Sequence, residues 1–328
     1  MYKNIKVLDV HGHMSTPPEF LHYGALTLAA NGPPGRKLQI SDDRLKEALQ
    51  RHLRELDERQ VEVQLVGPRP FAMFQNARPH VQQAWCRVTN DVIAQSVRLY
   101  PDRFLGMAQL PQSAELDTTN CVAELERCVR DYGFVGAYLN PDPDGNKTAP
   151  GVNTRYWYPL YEKAQELDAV LMVHPSGTFD RRVECLNANY QINNVTEEYI
   201  ATQLYSRTDV FDRFPRLRVI ICHCGGSLDR WIKTDPHMGQ KDVSRNLYFD
   251  TCAHDEAFLA AAFKQRGVDQ MLFGTEVPGS GGALRPETGR PADDLVPVID
   301  KLGFLSEDDK VKIFNTSAKK VFPKLAKI

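Results

Sequence analysis

The chain has 328 residues, of which 42% are hydrophobic and 25% charged, the balance of a water-soluble globular protein. A formal charge of −2 gives no electrostatic reason to expect nucleic acid or an anionic membrane as partner. No apolar run approaches the ~18 residues of a membrane span, so none is expected.

Short β-branched runs recur and alternate with amphipathic stretches. Strand candidates in chain order are 5–10, 61–66, 104–110, 135–139, 170–173, 217–221, 247–250 and 271–273. Helical patterns between them cover 43–59, 81–99, 116–132, 157–167, 197–211 and 256–265. Ser41-Asp42-Asp43 caps the first of these helices, and Thr118 and Asn120 stand near the start of the third. Eight strands alternating with helices predict an α/β fold, a (β/α)8 barrel forming one domain over residues 1–328. A doubly wound open sheet is the alternative, but no GxGxxG follows the first strand. A last helix, about 307–321, is expected on the outside. The long segments 14–42 and 274–294 follow strands one and eight, which places them over the active-site face of a barrel. The N-terminus lacks a basic region followed by an apolar one, so no secretory signal is expected. Seven cysteines without a CxxC pair fit reduced thiols in the cytoplasm.

The chemistry sits at the strand ends. His11-Gly-His13 follows the first run, and in an extended chain positions i and i+2 face one side. One metal ion can take both imidazoles, at about 2.0–2.1 Å each if it is zinc. His174 follows the apolar run 169–173, His223 follows 219–222, and Glu276 follows 271–275. Five metal-competent groups thus stand at the ends of strands one, five, six and eight, which converge at one barrel mouth. Two or three imidazoles and a carboxylate suit a divalent transition metal, zinc first and manganese second, with a position left for water. The fourth strand ends in Leu139-Asn140-Pro141 without a lysine to bridge a second ion, so one metal is expected. Arg69, just after the second strand, is the first choice for gripping a substrate carboxylate. Arg285 and Arg290 are weaker candidates, and Asn187 is a candidate hydrogen-bond donor. His52 falls in a helix and reads as solvated; His254 follows the seventh strand closely and stays open. Gly279–Gly282 reads as a cap over the site.

This pattern resembles the amidohydrolase superfamily, in its branch of metal-dependent decarboxylases and hydratases. The similarity includes Gly67-Pro-Arg69, Leu110-Pro-Gln-Ser113, Leu139-Asn-Pro-Asp-Pro143, Leu186-Asn-Ala188, His223-Cys-Gly-Gly226, Tyr248-Phe-Asp-Thr-Cys252 and Pro286-Glu-Thr-Gly289. Most of the superfamily ends strand eight with Asp; Glu276 is similar to the oxalomesaconate hydratases. The resemblance implies His11, His13, His174 and Glu276 as metal ligands, with His223 beside the metal as an acid or polarising group. It also implies a homo-oligomeric lyase acting on a small unsaturated di- or tricarboxylate from aromatic-compound degradation. Hydration of a C=C bond is the leading reaction, non-oxidative decarboxylation the alternative, and metal-dependent hydrolysis a third. The chain departs from those hydratases in the loop 175–182 and at Cys185, where they carry a Tyr.

Overall fold

A parallel strand buried on both faces reads as an unbroken apolar run, and a run such as Val170–Val173 becomes a strand of that kind. The structure, a computed structural model, describes residues 1–328 except Ala188, Lys233, Pro236, His237, Gln240 and Ile328, and leaves aside the side chains of Asn189 and Tyr190. Ala188 of the Leu-Asn-Ala motif therefore lies outside the described residues.

The strands are β1 (Leu8–His13), β2 (Val63–Gly67), β3 (Phe104–Ala108), β4 (Gly136–Leu139), β5 (Val170–Val173), β6 (Arg218–Ile221), β7 (Leu247–Asp250) and β8 (Met271–Leu272). Each pairs in parallel with the next, in sequence order. The ends meet as well: Val10 N donates to Phe273 O at 2.9 Å and Glu276 N donates to His11 O at 2.8 Å, which closes the barrel. The helices are α1 (Pro18–Ala29), α2 (Asp42–Glu58), α3 (Pro79–Leu99), α4 (Thr119–Tyr132), α5 (Tyr158–Glu166), α6 (Asn189–Arg207), α7 (Val210–Arg213), α8 (Glu256–Arg266), α9 (Val296–Asp300), α10 (Glu307–Val311) and α11 (Ser317–Val321). Ser41 caps α2 by accepting from Arg44 N, as its position before the helix suggests. The segment after β1 is less of a loop than its Gly and Pro content implies, since it contains α1.

Period-two alternation sorts the strand side chains. Leu8, Val10, Val63, Leu65, Val170, Met172 and Ile220 fill the barrel, while Leu171, Val173, Val219 and Ile221 pack against the helices. Ala318, Val321, Phe322 and Leu325 join the inner set. The last helix therefore does not lie outside: it and the residues after it seal the barrel floor, where Arg218 also donates to Val321 O at 2.6 Å. This corrects the expectation from periodicity, which registers an apolar stripe without saying which cavity it fills.

One irregularity decides the site. The pairing of β1 with β2 slips between Asp9 and Gly12, and a bulge of this kind inverts the alternation. Leu8 and Val10 point inward before it, and His11 and His13 point inward after it. Outside the barrel at the same level, Gln64 donates to Asp9 Oδ2 and to Val277 O, both at 2.8 Å, and its Oε1 accepts from His52 Nε2 at 2.8 Å. Asp9 also accepts from Thr275 and from the backbone of His11. This knot ties β1, β2, α2 and the end of β8 together. His52 is thus buried rather than solvated, because it shares the inner face of α2 with Leu45, Leu49 and Leu56.

Two predictions follow from the knot. A Cβ on Gly12 would overlap the Gln64 amide, which three partners hold in place, so Gly12→Ala should cost roughly 1–3 kcal/mol in urea unfolding. Burial pushes His52 from its ordinary 6.5 down to about 4. Its neutral form is favoured in the fold, so its contribution is complete above 6.5 and is lost as pH falls towards 4. That loss amounts to about 3 kcal/mol, and His52→Gln should flatten the fall in urea midpoint between about pH 7 and about pH 5.

Candidate active site

The strand phase carries past the strand ends. His174 continues the inward series of Val170 and Met172; Asp250 and Cys252 continue β7; Glu276 continues β8. His223 breaks this rule, since Ile220 and Cys222 already point inward. It reaches the mouth because His223 and Cys224 are left-handed, with φ of 51° and 58°, and Glu276 is left-handed too, with φ of 64°. Such conformations cost a non-glycine residue roughly 1–2 kcal/mol each, and strain of this kind gathers at functional sites.

Each imidazole is anchored from behind. His11 Nδ1 donates to Asp250 Oδ2 at 2.7 Å, His13 Nδ1 to Pro68 O at 3.0 Å, His174 Nδ1 to Pro175 O at 2.8 Å, and His223 Nδ1 to Glu198 Oε1 at 2.7 Å. Pro68 O, Pro175 O and the Asp250 carboxylate have no proton to give, and with Glu198, which burial pushes up to about 7, they hold each Nδ1 and leave each Nε2 turned to the centre. The Nε2 atoms of His11, His13 and His174 are buried without a hydrogen-bond partner. Glu276 Oε1 stands 3.7 Å from His13 Nε2 and 3.6 Å from His223 Nε2. Donor atoms of His11, His174, His223 and Glu276 all lie within 4.8 Å of one another. Two nitrogen and oxygen ligands on a tetrahedral zinc would be about 3.4 Å apart, given bonds of ~2.1 Å. The nest therefore fits a divalent ion, and three orphaned nitrogens beside a carboxylate call for one.

Electrostatics divide the imidazoles. Burial lowers His13 to about 4 and, with the neighbouring imidazoles, holds His174 well below 6.5, so both are neutral and able to ligate. Burial acts on His223 in the same sense, but the Glu198 carboxylate outweighs it and holds His223 well above 6.5. Glu276 stays well below the ordinary carboxylate range: burial opposes this, and His13 and His223 overcome it. Glu198 lies on α6, which passes the β6 turn so closely that a Cβ on Gly226 would strike Val195 O and Glu198.

The nest opens into a cavity of about 520 Å³. Arg69 lines it, half-buried, with Nε donating to Met14 O at 3.2 Å. Gln191, Asn194, Ser280 and His254 add polar groups; Phe71, Val195, Phe258 and Pro278 add apolar walls. Gly279, from the glycine-rich segment, lines it as well. Three expected contacts are not brought together with it. Arg285 turns back to donate to His254 O and Ala292 O. Arg290 pairs with Asp294, and that loop is tied to the end of α2 by Arg59 and Asp293 at 2.9 Å. Asn187 is exposed and does not line the cavity. Sequence reading missed Asp250 and Glu198. Asp250 had a signal, since it ends a strand as the histidines do. Glu198 had none, because it comes from a helix.

Comparison with known proteins agrees with this architecture. The chain is 33% identical to the 2-keto-4-carboxy-3-hexenedioate hydratase of a Sphingobium species, over 97% of this chain and 96% of that one. It is 27% identical to the gamma-resorcylate decarboxylase of a Polaromonas species, over 82% and 89% of the two chains. The crystal structure of 4-oxalomesaconate hydratase from Rhodopseudomonas palustris superposes with a TM-score of 0.86 at 29% identity, covering 98% of this chain and 97% of that one. The amidohydrolase family model matches residues 8–324, from the first residue of β1 to the segment that seals the floor, and the chain belongs to that family.

Proposed function

We propose that the protein is a mononuclear, divalent-metal-dependent hydro-lyase that adds water to a C=C bond of a small unsaturated di- or tricarboxylate. The observation that carries this reading is the set of three buried, unpartnered Nε2 atoms facing Glu276 in a cavity that Arg69 also lines. His11, His13, His174 and Glu276 would hold the ion, zinc or manganese. Once bound, it supplies Lewis acidity and lowers the pKa of water towards ~7. His223 is set apart from this ligand set, since a proton held by Glu198 makes it a donor rather than a ligand.

The chain's own groups then divide the work. Arg69 grips one substrate carboxylate. Glu276, whose Oε2 accepts from Ser280 at 2.7 Å, takes the proton from water as its oxygen bonds to the β-carbon. His223 Nε2–H stabilises the enolate oxygen that forms next to it, and the proton taken up by Glu276 then passes to the α-carbon, which completes the addition of water. Decarboxylation is the second reading, favoured by the flat apolar walls Phe71 and Phe258, which suit an aromatic acid. The reading includes a homo-oligomer acting in the cytoplasm, in keeping with seven free thiols. No helix among the described residues is long and apolar enough to cross a membrane.

Incubation of the zinc- or manganese-loaded protein with conjugated polycarboxylates should bleach the diene absorbance without releasing CO2. Bleaching with CO2 release would favour the decarboxylase, and a protein that binds no divalent ion would sink the metalloenzyme reading. Glu276→Gln should lower kcat by roughly a hundredfold to ten-thousandfold, the range of general acid–base catalysis. Glu198→Gln should lower kcat about tenfold to a hundredfold with little change in KM, as loss of an outer partner does. Arg69→Met should instead act mainly on KM, by about tenfold to a hundredfold, as loss of a charged hydrogen bond does.

A further inference from the structure

We propose a second, weaker site for a soft divalent ion such as zinc, formed by Cys252, His254 and the oxygen of Glu276 that faces away from the imidazole nest. It rests on the ligand set proposed above, because Glu276 would serve both ions. Its two oxygens face different groups. Oε1 looks towards His13 and His223. Oε2 is 3.7 Å from Cys252 Sγ and 2.7 Å from Ser280 Oγ. With Zn–S of ~2.3 Å and Zn–O of ~2.1 Å, a tetrahedral ion separates its sulfur and oxygen ligands by about 3.6 Å. The observed separation matches that value without rearrangement.

The third ligand is His254. Its Nε2 is buried without a hydrogen-bond partner, and donor atoms of Cys252, His254 and Glu276 lie within 4.8 Å of one another. All three residues line the substrate cavity, which leaves the remaining coordination positions open to it. Binding breaks the Cys252 S–H bond as the S–metal bond forms, with the proton leaving to the buffer, and with three protein ligands rather than four the second site is weaker than the first. Carboxylate-bridged pairs of ions about 3.5–4 Å apart are an established geometry. A second ion would take Oε2 from Ser280 and from proton transfer, so zinc beyond the first equivalent would inhibit.

The test is a cobalt(II) titration of the metal-free, full-length protein, followed by visible and near-ultraviolet absorption. The first equivalent should give ligand-field bands without sulfur-to-cobalt charge transfer, and the second should add the charge-transfer band. Cys252→Ser and His254→Asn should lose the second step and keep the first, which also reports that they fold. A charge-transfer band already present with the first equivalent, or one that survives in Cys252→Ser, overturns the assignment. Binding of one equivalent alone overturns this site only, whereas binding of none overturns the first site as well.

Discussion

Three buried imidazole nitrogens turned to a common centre, without protein partners, set the terms for the rest of this structure. A buried polar atom left unpaired costs about 1–3 kcal/mol, so three of them weigh several kcal/mol against a typical stability of about 5–15 kcal/mol. The fold accepts this because each ring is fixed from behind through Nδ1, by Asp250, Pro68 O and Pro175 O. The barrel is a rigid frame for an arrangement that its own side chains leave unsatisfied, in keeping with the divalent metal that members of its family use.

The same frame explains why Glu198 matters although it lies behind the nest. Four neutral imidazoles would be four equivalent ligands. By favouring a proton on His223, Glu198 makes one of them different in kind. The left-handed backbone at His223 is the mechanical counterpart, since the ordinary strand phase would point that side chain away.

Much of this was legible in the sequence. Strand count, order and closure follow from the apolar runs, and His174 and Glu276 follow from period two past a strand end. The shared direction of His11 and His13 was legible for a reason that proved incomplete: they face the barrel mouth only after a bulge has reversed the phase of β1. Spacing along α2 would have revealed His52 as buried, since it stands seven residues after Leu45 and four before Leu56. Arg285 and Arg290 went astray because nearness to Glu276 along the chain says nothing about how a loop folds back on its own carbonyls. Glu198 and the Gln64 knot depend on contacts between distant segments, which no local pattern encodes.

Helix α6 carries one further consequence. Gln191, Asn194 and Val195 line the cavity and Glu198 holds His223, a spacing of three, four and seven residues along one helical stripe. The cavity wall and the carboxylate behind His223 are therefore one rigid ridge. Reshaping the cavity for a bulkier acid by mutating this stripe would tilt or shift the ridge and carry Glu198 with it. Selectivity and turnover are geared together here, so adapting this enzyme to a new substrate is easier from Phe71 and Phe258, which line the cavity from other elements, than from α6.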